Sequence, residues 1–159
     1  MVLALADFAV VERHPFPAGF RLIGDGFLAP RDPPLSVHLG EDYPMPAGTP
    51  IYAPFGGVAV SVNNPSGSFG TYVCIDVPHT PWYVLFAHCA RTVVDTGEDI
   101  VAGQIIAYSG NTGLSTGPHC HVGVCRNTTF TLDPADYVAF SEFPIRADFD
   151  RRIEQLLRG

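Results

Sequence analysis

Two histidines separated by one residue, His119 and His121, form the sharpest chemical feature of the sequence. Alternate side chains of a β-strand point to the same face, so the two imidazoles would face one site while Cys120 turns to the opposite face. A second pair, His38 and Asp42, combines an imidazole and a carboxylate four residues apart. Such nitrogen and oxygen donors suit zinc, although each pair taken alone is a weak signal and His38 and Asp42 also fit an ordinary loop and turn.

A further histidine, His88, lies within the apolar segment WYVLFAHC. A histidine in such a strand is usually a hydrogen-bonded core residue. The functional alternative is that His88 points into the site and transfers protons. Glu41 lies directly beside Asp42, which makes it a poorer ligand candidate for the same face. The histidines at positions 14 and 79 receive no role.

Composition limits the classes of partner. The chain has 159 residues, of which 47% are hydrophobic, so one domain with an ordinary core is expected. The net charge is −7 and the arginines are scattered, which argues against nucleic acid as a partner. No apolar run reaches the roughly 20 residues that span a bilayer, so membrane insertion is not expected. The opening MVLALADFAV meets Asp7 early, which predicts an N-terminal strand and no signal peptide of its own.

The four cysteines form no CxxC pair, so a zinc-ribbon or thiol-redox motif is absent from the sequence. Buried free thiols are the favoured interpretation, and a disulfide stays open because sequence alone cannot pair cysteines. The four positions are Cys74, Cys89, Cys120 and Cys125.

The spacing of apolar segments and turn residues predicts a mainly β protein. Short segments rich in β-branched and aromatic residues, each bounded by Gly, Pro or Asn, follow one another from Thr49 at intervals of roughly 10 residues. This indicates an antiparallel β-sandwich or open barrel of short strands. The segments are TPIYAP, GGVAVSVN, GTYVCIDV, WYVLFAHC, IVAGQIIAYSG and HCHVGVC.

These elements are expected to form a single domain, residues 1–159. It comprises an irregular N-terminal segment over residues 1–36, a catalytic core over residues 37–140 and a short C-terminal helix over residues 147–158. The helix is indicated by apolar residues at helical spacing in FDRRIEQLLR.

The order of the motifs resembles that of the lysostaphin-type zinc endopeptidases, the family that includes the LytM and β-lytic peptidoglycan hydrolases. HLGEDYPMPAGTPIYAPFGGVAV, FAHCA and SGNTGLSTGPHCH follow one another in the family's order. The resemblance covers residues from Val37 to Val124 and is strongest before His121.

The resemblance implies a lysostaphin-like peptidase fold and a function for four of the six histidines and for Asp42. His38, Asp42 and His121 would hold one Zn²⁺ per chain, while His88 and His119 would assist catalysis. Hydrolysis of the peptide part of bacterial peptidoglycan, within cross-links, stems or bridges, is the activity that the family implies.

The sequence also departs from the family pattern. The segment FLAPR at residues 27–31 matches an aromatic-Gly-x-Arg motif loosely, and residues 31–37 contain no tyrosine, which some members place there. Cys120 stands where leucine is commoner.

Two other functions remain open at this point. The chain could be a structural phage-tail component that keeps the fold as a binding module, or a zinc protease that acts on another protein. For a wall hydrolase without a signal peptide we expect a phage setting, either an endolysin released from the lysing host or a tail-associated lysin with virion tail proteins as partners. A bacterial enzyme trimmed to its catalytic domain is also open. Glycyl-glycine bridges and D-alanyl-diaminopimelate cross-links are both open as the scissile bond.

Overall fold

The computed structural model describes residues 13–32, 37–78, 80–126 and 133–142. These residues form ten β-strands and three short 3-10 turns, with no α-helix among them. The predicted N-terminal strand, the predicted C-terminal helix at 147–158 and His79 lie outside the described residues. No helix of the described part has the length and apolar character needed to cross a membrane.

The strands are short and irregularly spaced along the chain. In chain order they are β1 (Glu41–Pro44), β2 (Pro50–Tyr52), β3 (Gly57–Val62), β4 (Thr71–Asp76), β5 (Tyr83–Cys89), β6 (Arg91–Thr92), β7 (Asp99–Ile100), β8 (Ile105–Tyr108), β9 (His119–Cys125) and β10 (Tyr137–Val138). The 3-10 turns are Ala18–Phe20, Pro134–Asp136 and Phe140–Glu142.

Two antiparallel sheets result. The larger sheet has the order β1-β9-β5-β4-β3-β7, with β10 also paired to β9, and the smaller sheet has the order β2-β8-β6. Each of the six predicted segments contains a strand, so the mainly antiparallel β prediction is confirmed, and neither sheet closes into a barrel. Strand β1 was not predicted, because the EDYP segment carries two acids and a proline, residues that are depleted in strands.

The main core lies between the two sheets. It unites fully buried side chains of the larger sheet, such as Phe86 and Val122, with Ile51 and Ile106 of the smaller one. The irregular N-terminal segment contributes to this core through Phe16, which is 1% exposed and whose ring centroid lies 4.9 Å from that of Tyr43. The described residues 13–32 of this segment therefore pack against the core through Phe16.

The opposite face of the larger sheet carries a smaller apolar cluster of Cys74, Leu85 and Ala87. All four cysteines are free and buried, which agrees with the favoured sequence interpretation. Cys120 is fully buried in the main core, on the face predicted for it. The smaller cluster thus lies on the face of the larger sheet that is opposite the main core, and strand residues that do not face the core project from this face.

Glu41 is a buried carboxylate on the core side of β1. Its Oε2 accepts hydrogen bonds from the Tyr43 hydroxyl and the Ser141 backbone N–H, both at 3.0 Å, and its Oε1 accepts one from the Ser141 hydroxyl. Burial and the neighbouring carboxylate raise the pKa of Tyr43, so the phenol stays protonated and donates. Glu41 thereby fastens the last described turn to β1.

We expect Glu41→Gln to lower the free energy of unfolding by about 2 kcal/mol, because the amide weakens the bonds to a buried charge and places N–H groups against donors. Urea denaturation followed by tryptophan fluorescence measures the change. Glu142→Gln, an exposed neighbour, is the matched control and should be neutral. Equal stability of the two variants would show that the buried carboxylate does not anchor the turn.

Candidate functional site

The register between β1 and β9 brings Asp42 directly opposite His121. Directly paired residues of antiparallel strands project from the same face, so the carboxylate and the imidazole meet. His121 Nδ1 lies 2.9 Å from Asp42 Oδ1. The neighbouring pairs, Glu41 with Val122 and Tyr43 with Cys120, face the core instead.

His38 reaches the same point from the chain just before β1. Its backbone is held by two hydrogen bonds to the upstream segment, His38 N–H to Ala29 O at 2.7 Å and Leu28 N–H to His38 O at 2.8 Å. Its Nε2 lies 3.0 Å from His121 Nδ1 and 3.2 Å from Asp42 Oδ1. One atom from each of the three predicted metal ligands therefore converges on a common point.

Gly40 permits this convergence. A Cβ atom at position 40 would lie 2.5 Å from Cε1 and 2.6 Å from Nε2 of His121, well inside van der Waals contact. Any side chain there would push the His121 ring away from Asp42. The sequence predicts His38 and Asp42 as ligands but not the need for the glycine between them, because a close approach to a distant strand leaves no local signal.

The protonation of the three side chains favours a bound cation. His38 Nδ1 lies 2.9 Å from Gly26 O, and since a carbonyl only accepts, Nδ1 carries the proton and a neutral ring leaves a lone pair on Nε2. Burial would raise the pKa of Asp42, yet His121 and His38 beside it hold that pKa well below its ordinary value. Burial lowers the pKa of His121, which keeps its ring neutral.

The donor set fits a zinc ion. Bonds of about 2.0–2.2 Å at tetrahedral angles place neighbouring ligand atoms roughly 3.3–3.6 Å apart. The three observed separations, 2.9, 3.0 and 3.2 Å, are slightly shorter. The side chain of Asp42 is 19% exposed, so the site is accessible from outside.

His88 enters the site through a β-bulge. Between the pairs Val73–Phe86 and Thr71–Cys89, β5 contains one residue more than β4, and His88 has the positive φ of 60°. Strict alternation would turn His88 into the core, because Phe86 lies there. The bulge reverses the parity, so Cys89 is buried in the core and His88 faces the site.

His88 and His119 lie side by side next to the three donors. Their ring centroids are 4.8 Å apart, and His88 is 5.9 Å from the ring of His121. His119 Nε2 lies 3.5 Å from Asp42 Oδ1. Burial lowers the pKa of His88 to about 4, so this ring is neutral near pH 7. The structure thus brings together all five residues singled out in the sequence.

Arg31 is a further neighbour of the site that was not predicted from the sequence. It pairs with Asp25, and its second guanidinium nitrogen lies 3.6 Å from Asp42 Oδ2, the oxygen that does not face the histidines. This position restrains the carboxylate so that Oδ1 points inward. The loose match of FLAPR to the family's aromatic-Gly-x-Arg motif was the available signal.

Comparison with known proteins agrees with this geometry. Residues 36–134 match the model of Peptidase family M23. Peptidoglycan DD-endopeptidase ShyA of Vibrio cholerae is 36% identical over 114 residues, which cover 69% of this chain and 26% of ShyA. The chain thus spans about a quarter of the length of that relative.

Two solved structures share the fold. A zinc containing peptidase from Vibrio cholerae gives a TM-score of 0.64 at 31% identity, and the match covers 72% of this chain and 36% of that peptidase. A mutant of the catalytic domain of the prophage-encoded M23 protein EnpA from Enterococcus faecalis gives 0.65 at 29% identity, and the match covers 84% of this chain and 97% of that domain.

The family match extends over more than half of the chain, and it includes all five clustered residues. The resemblance to the lysostaphin-type peptidases drawn from the motifs is thereby confirmed. The chain belongs to Peptidase family M23.

Proposed function

We propose that this chain is a zinc-dependent endopeptidase that hydrolyses the peptide cross-links, stems or bridges of bacterial peptidoglycan. The observation that carries the proposal is the convergence of His38 Nε2, Asp42 Oδ1 and His121 Nδ1 within 3.2 Å of one another, beside two further histidines. These three residues are the proposed ligands of one Zn²⁺. Three protein ligands leave a fourth position open, the arrangement of catalytic zinc sites.

Zinc held there would supply Lewis acidity, which polarises the scissile carbonyl and lowers the pKa of a water molecule to roughly 7. The other steps belong to protein side chains. His88 and His119 are proposed as the catalytic pair: one accepts the proton of the attacking water and passes it to the leaving amine, and the other stabilises the developing charge. The neutral state of His88 near pH 7 suits the role of the base, because a bare Nε2 can accept a proton.

The proposed substrate class, peptidoglycan, is inferred from similar proteins. ShyA is named a peptidoglycan DD-endopeptidase, and its likeness extends over 69% of this chain. A phage-encoded origin, as endolysin or tail-associated lysin acting on the cell wall, is supported by the likeness to the prophage-encoded EnpA domain, 97% of which is covered. Virion tail proteins would be partners in the second of these settings.

We expect Asp42→Asn to lose both zinc and turnover, because the amide removes the anionic donor. Zinc content by mass spectrometry of the metal and fragment release from purified sacculi measure the two effects. Asp99→Asn, an exposed acid on β7, is the matched control and should keep both.

The same assay separates the other functions. Soluble fragments from sacculi would establish the hydrolase, and their masses would show whether glycyl-glycine or D-alanyl-diaminopimelate bonds are cut. Cleavage of a protein substrate without action on sacculi would favour the protein-directed protease. Zinc binding without any hydrolysis would favour the binding module, and turnover that survives complete chelation would contradict the zinc mechanism.

We expect His88→Ala and His119→Ala each to retain stoichiometric zinc while turnover falls on the order of 10²–10⁴-fold, the range for loss of an acid–base group. Initial rates on a cross-linked muropeptide, measured beside zinc content, test this. Unchanged rates in both variants would refute the proposed roles.

We expect Gly40→Ala to weaken zinc binding by roughly 10–100-fold, because the new Cβ displaces the ring of His121. Competition with a fluorescent zinc chelator gives the affinity. Gly19→Ala serves as control, since a Cβ there meets no atom within 4 Å. Equal affinities would mean that the strand shifts freely and that Gly40 is not required.

A further inference from the structure

The loop that precedes β9, residues 111–117, contacts both histidines of the proposed catalytic pair. His88 Nδ1 lies 2.8 Å from Thr112 O, and His119 Nδ1 lies 2.8 Å from Gly117 O. A carbonyl oxygen only accepts, so each contact requires the proton on Nδ1. Each neutral ring therefore has a bare Nε2, and that of His119 lies on the side of Asp42.

Thr112 fixes the position of the loop. Its hydroxyl donates a hydrogen bond of 2.7 Å to the carbonyl oxygen of Cys89, the residue directly after His88. The same hydroxyl accepts a hydrogen bond of 3.1 Å from the backbone N–H of Thr71. The Thr112 side chain thus ties the carbonyl that holds His88 to both strands that flank the β5 bulge. Without the hydroxyl, the buried Thr71 N–H and the Cys89 carbonyl each lose this hydrogen bond.

The loop is also clamped from the other side. Gly113 N–H donates to Pro65 O at 3.0 Å and Leu114 N–H to Ser68 O at 2.9 Å. Gly113 has a φ of 74°, and a Cβ there would lie 2.3 Å from the backbone nitrogen of Gly70. The backbones at Gly113 and Gly70 are in close contact, so the neighbouring Thr112 carbonyl has little freedom to follow a movement of the His88 ring.

Ser115 has a similar part for His119, because its hydroxyl contacts the carbonyl that holds the His119 ring. Its hydroxyl contacts Asn111 Oδ1 at 2.6 Å, Gly117 O at 3.0 Å and His119 Nδ1 at 3.2 Å. Gly117 O already accepts a hydrogen bond from His119 Nδ1–H, and the Ser115 hydroxyl contacts the same carbonyl oxygen. Thr116, exposed in the same loop, makes no hydrogen bond to either histidine in the described part of the chain.

We propose that Thr112 is a positioning residue: its hydroxyl locks its own carbonyl in place, which holds His88 in the Nδ1-protonated tautomer with Nε2 presented to the site. The effect of this positioning on turnover rests on the proposed hydrolase function, so the tautomer of His88 is measured separately. The Nε2 tautomer would present a proton to the site, where the step that activates water requires an acceptor.

The test uses the zinc-loaded full chain and three variants, Thr112→Val, Thr112→Ser and the control Thr116→Val. Thr112→Val should lower kcat on a muropeptide dimer by about tenfold to hundredfold, with KM and zinc content within about twofold of wild type. Thr112→Ser, which restores the hydroxyl, and Thr116→Val should retain wild-type kcat. A Thr112→Val variant with full kcat, or a loss that serine does not restore, would overturn the proposal.

The spectroscopic arm needs no activity. Long-range ¹H–¹⁵N spectra of the histidine rings should show His88 protonated at Nδ1 in the wild type and in Thr112→Ser, and a mixture of tautomers in Thr112→Val, with His119 unchanged. Wild-type His88 protonated at Nε2 would overturn the proposal even if Thr112→Val fails to fold. A chain with the expected tautomer but no hydrolysis would refute the hydrolase function and leave the positioning role supported.

Discussion

The pairing of β1 with β9 is the constraint on which the rest of the site depends. It places Asp42 opposite His121 on one face, and Glu41 and Tyr43 on the other. A slip of one residue would turn the carboxylate into the core and the buried glutamate into the site. Two contacts on the core face oppose such a slip: Tyr43 packs on Phe16, and Glu41 binds Ser141. The register that stabilises the core is therefore the register that assembles the donors.

The second constraint is the irregularity in β5. A regular strand would leave His88 buried among apolar side chains of the core, where its ring could not reach the site. The extra residue and the positive φ cost conformational energy, roughly 1–3 kcal/mol for a residue in a sparsely populated region. The backbone bond of His88 to Phe69 O and the ring bond to Thr112 O offset this cost. The strained backbone thus lies next to the proposed metal ligands, and it turns the His88 side chain towards them instead of into the core.

Alternation alone predicted part of the site correctly. It placed His119 and His121 on one face and Cys120 on the other, and the turn residues bounded the strands from Thr49 onward. Other features left no local signal. Strand β1 forms despite two acids and a proline because β9 offers it a partner, and Gly40 is required by a ring on that same distant strand. The His88 bulge depends on β4 and on the loop at Thr112, so no window around His88 contains it. The assignment of His121 as ligand and His119 as catalyst came from the family resemblance, since spacing treats the two alike.

We propose that two imidazoles and one carboxylate share a zinc ion. X-ray absorption at the zinc edge of the purified chain measures the number, type and distance of the atoms bound to the metal. We expect nitrogen and oxygen neighbours at about 2.0–2.2 Å with the scattering pattern of two imidazole rings. A sulfur neighbour at about 2.3 Å would contradict it, because a thiol would have to leave its buried position to reach the metal.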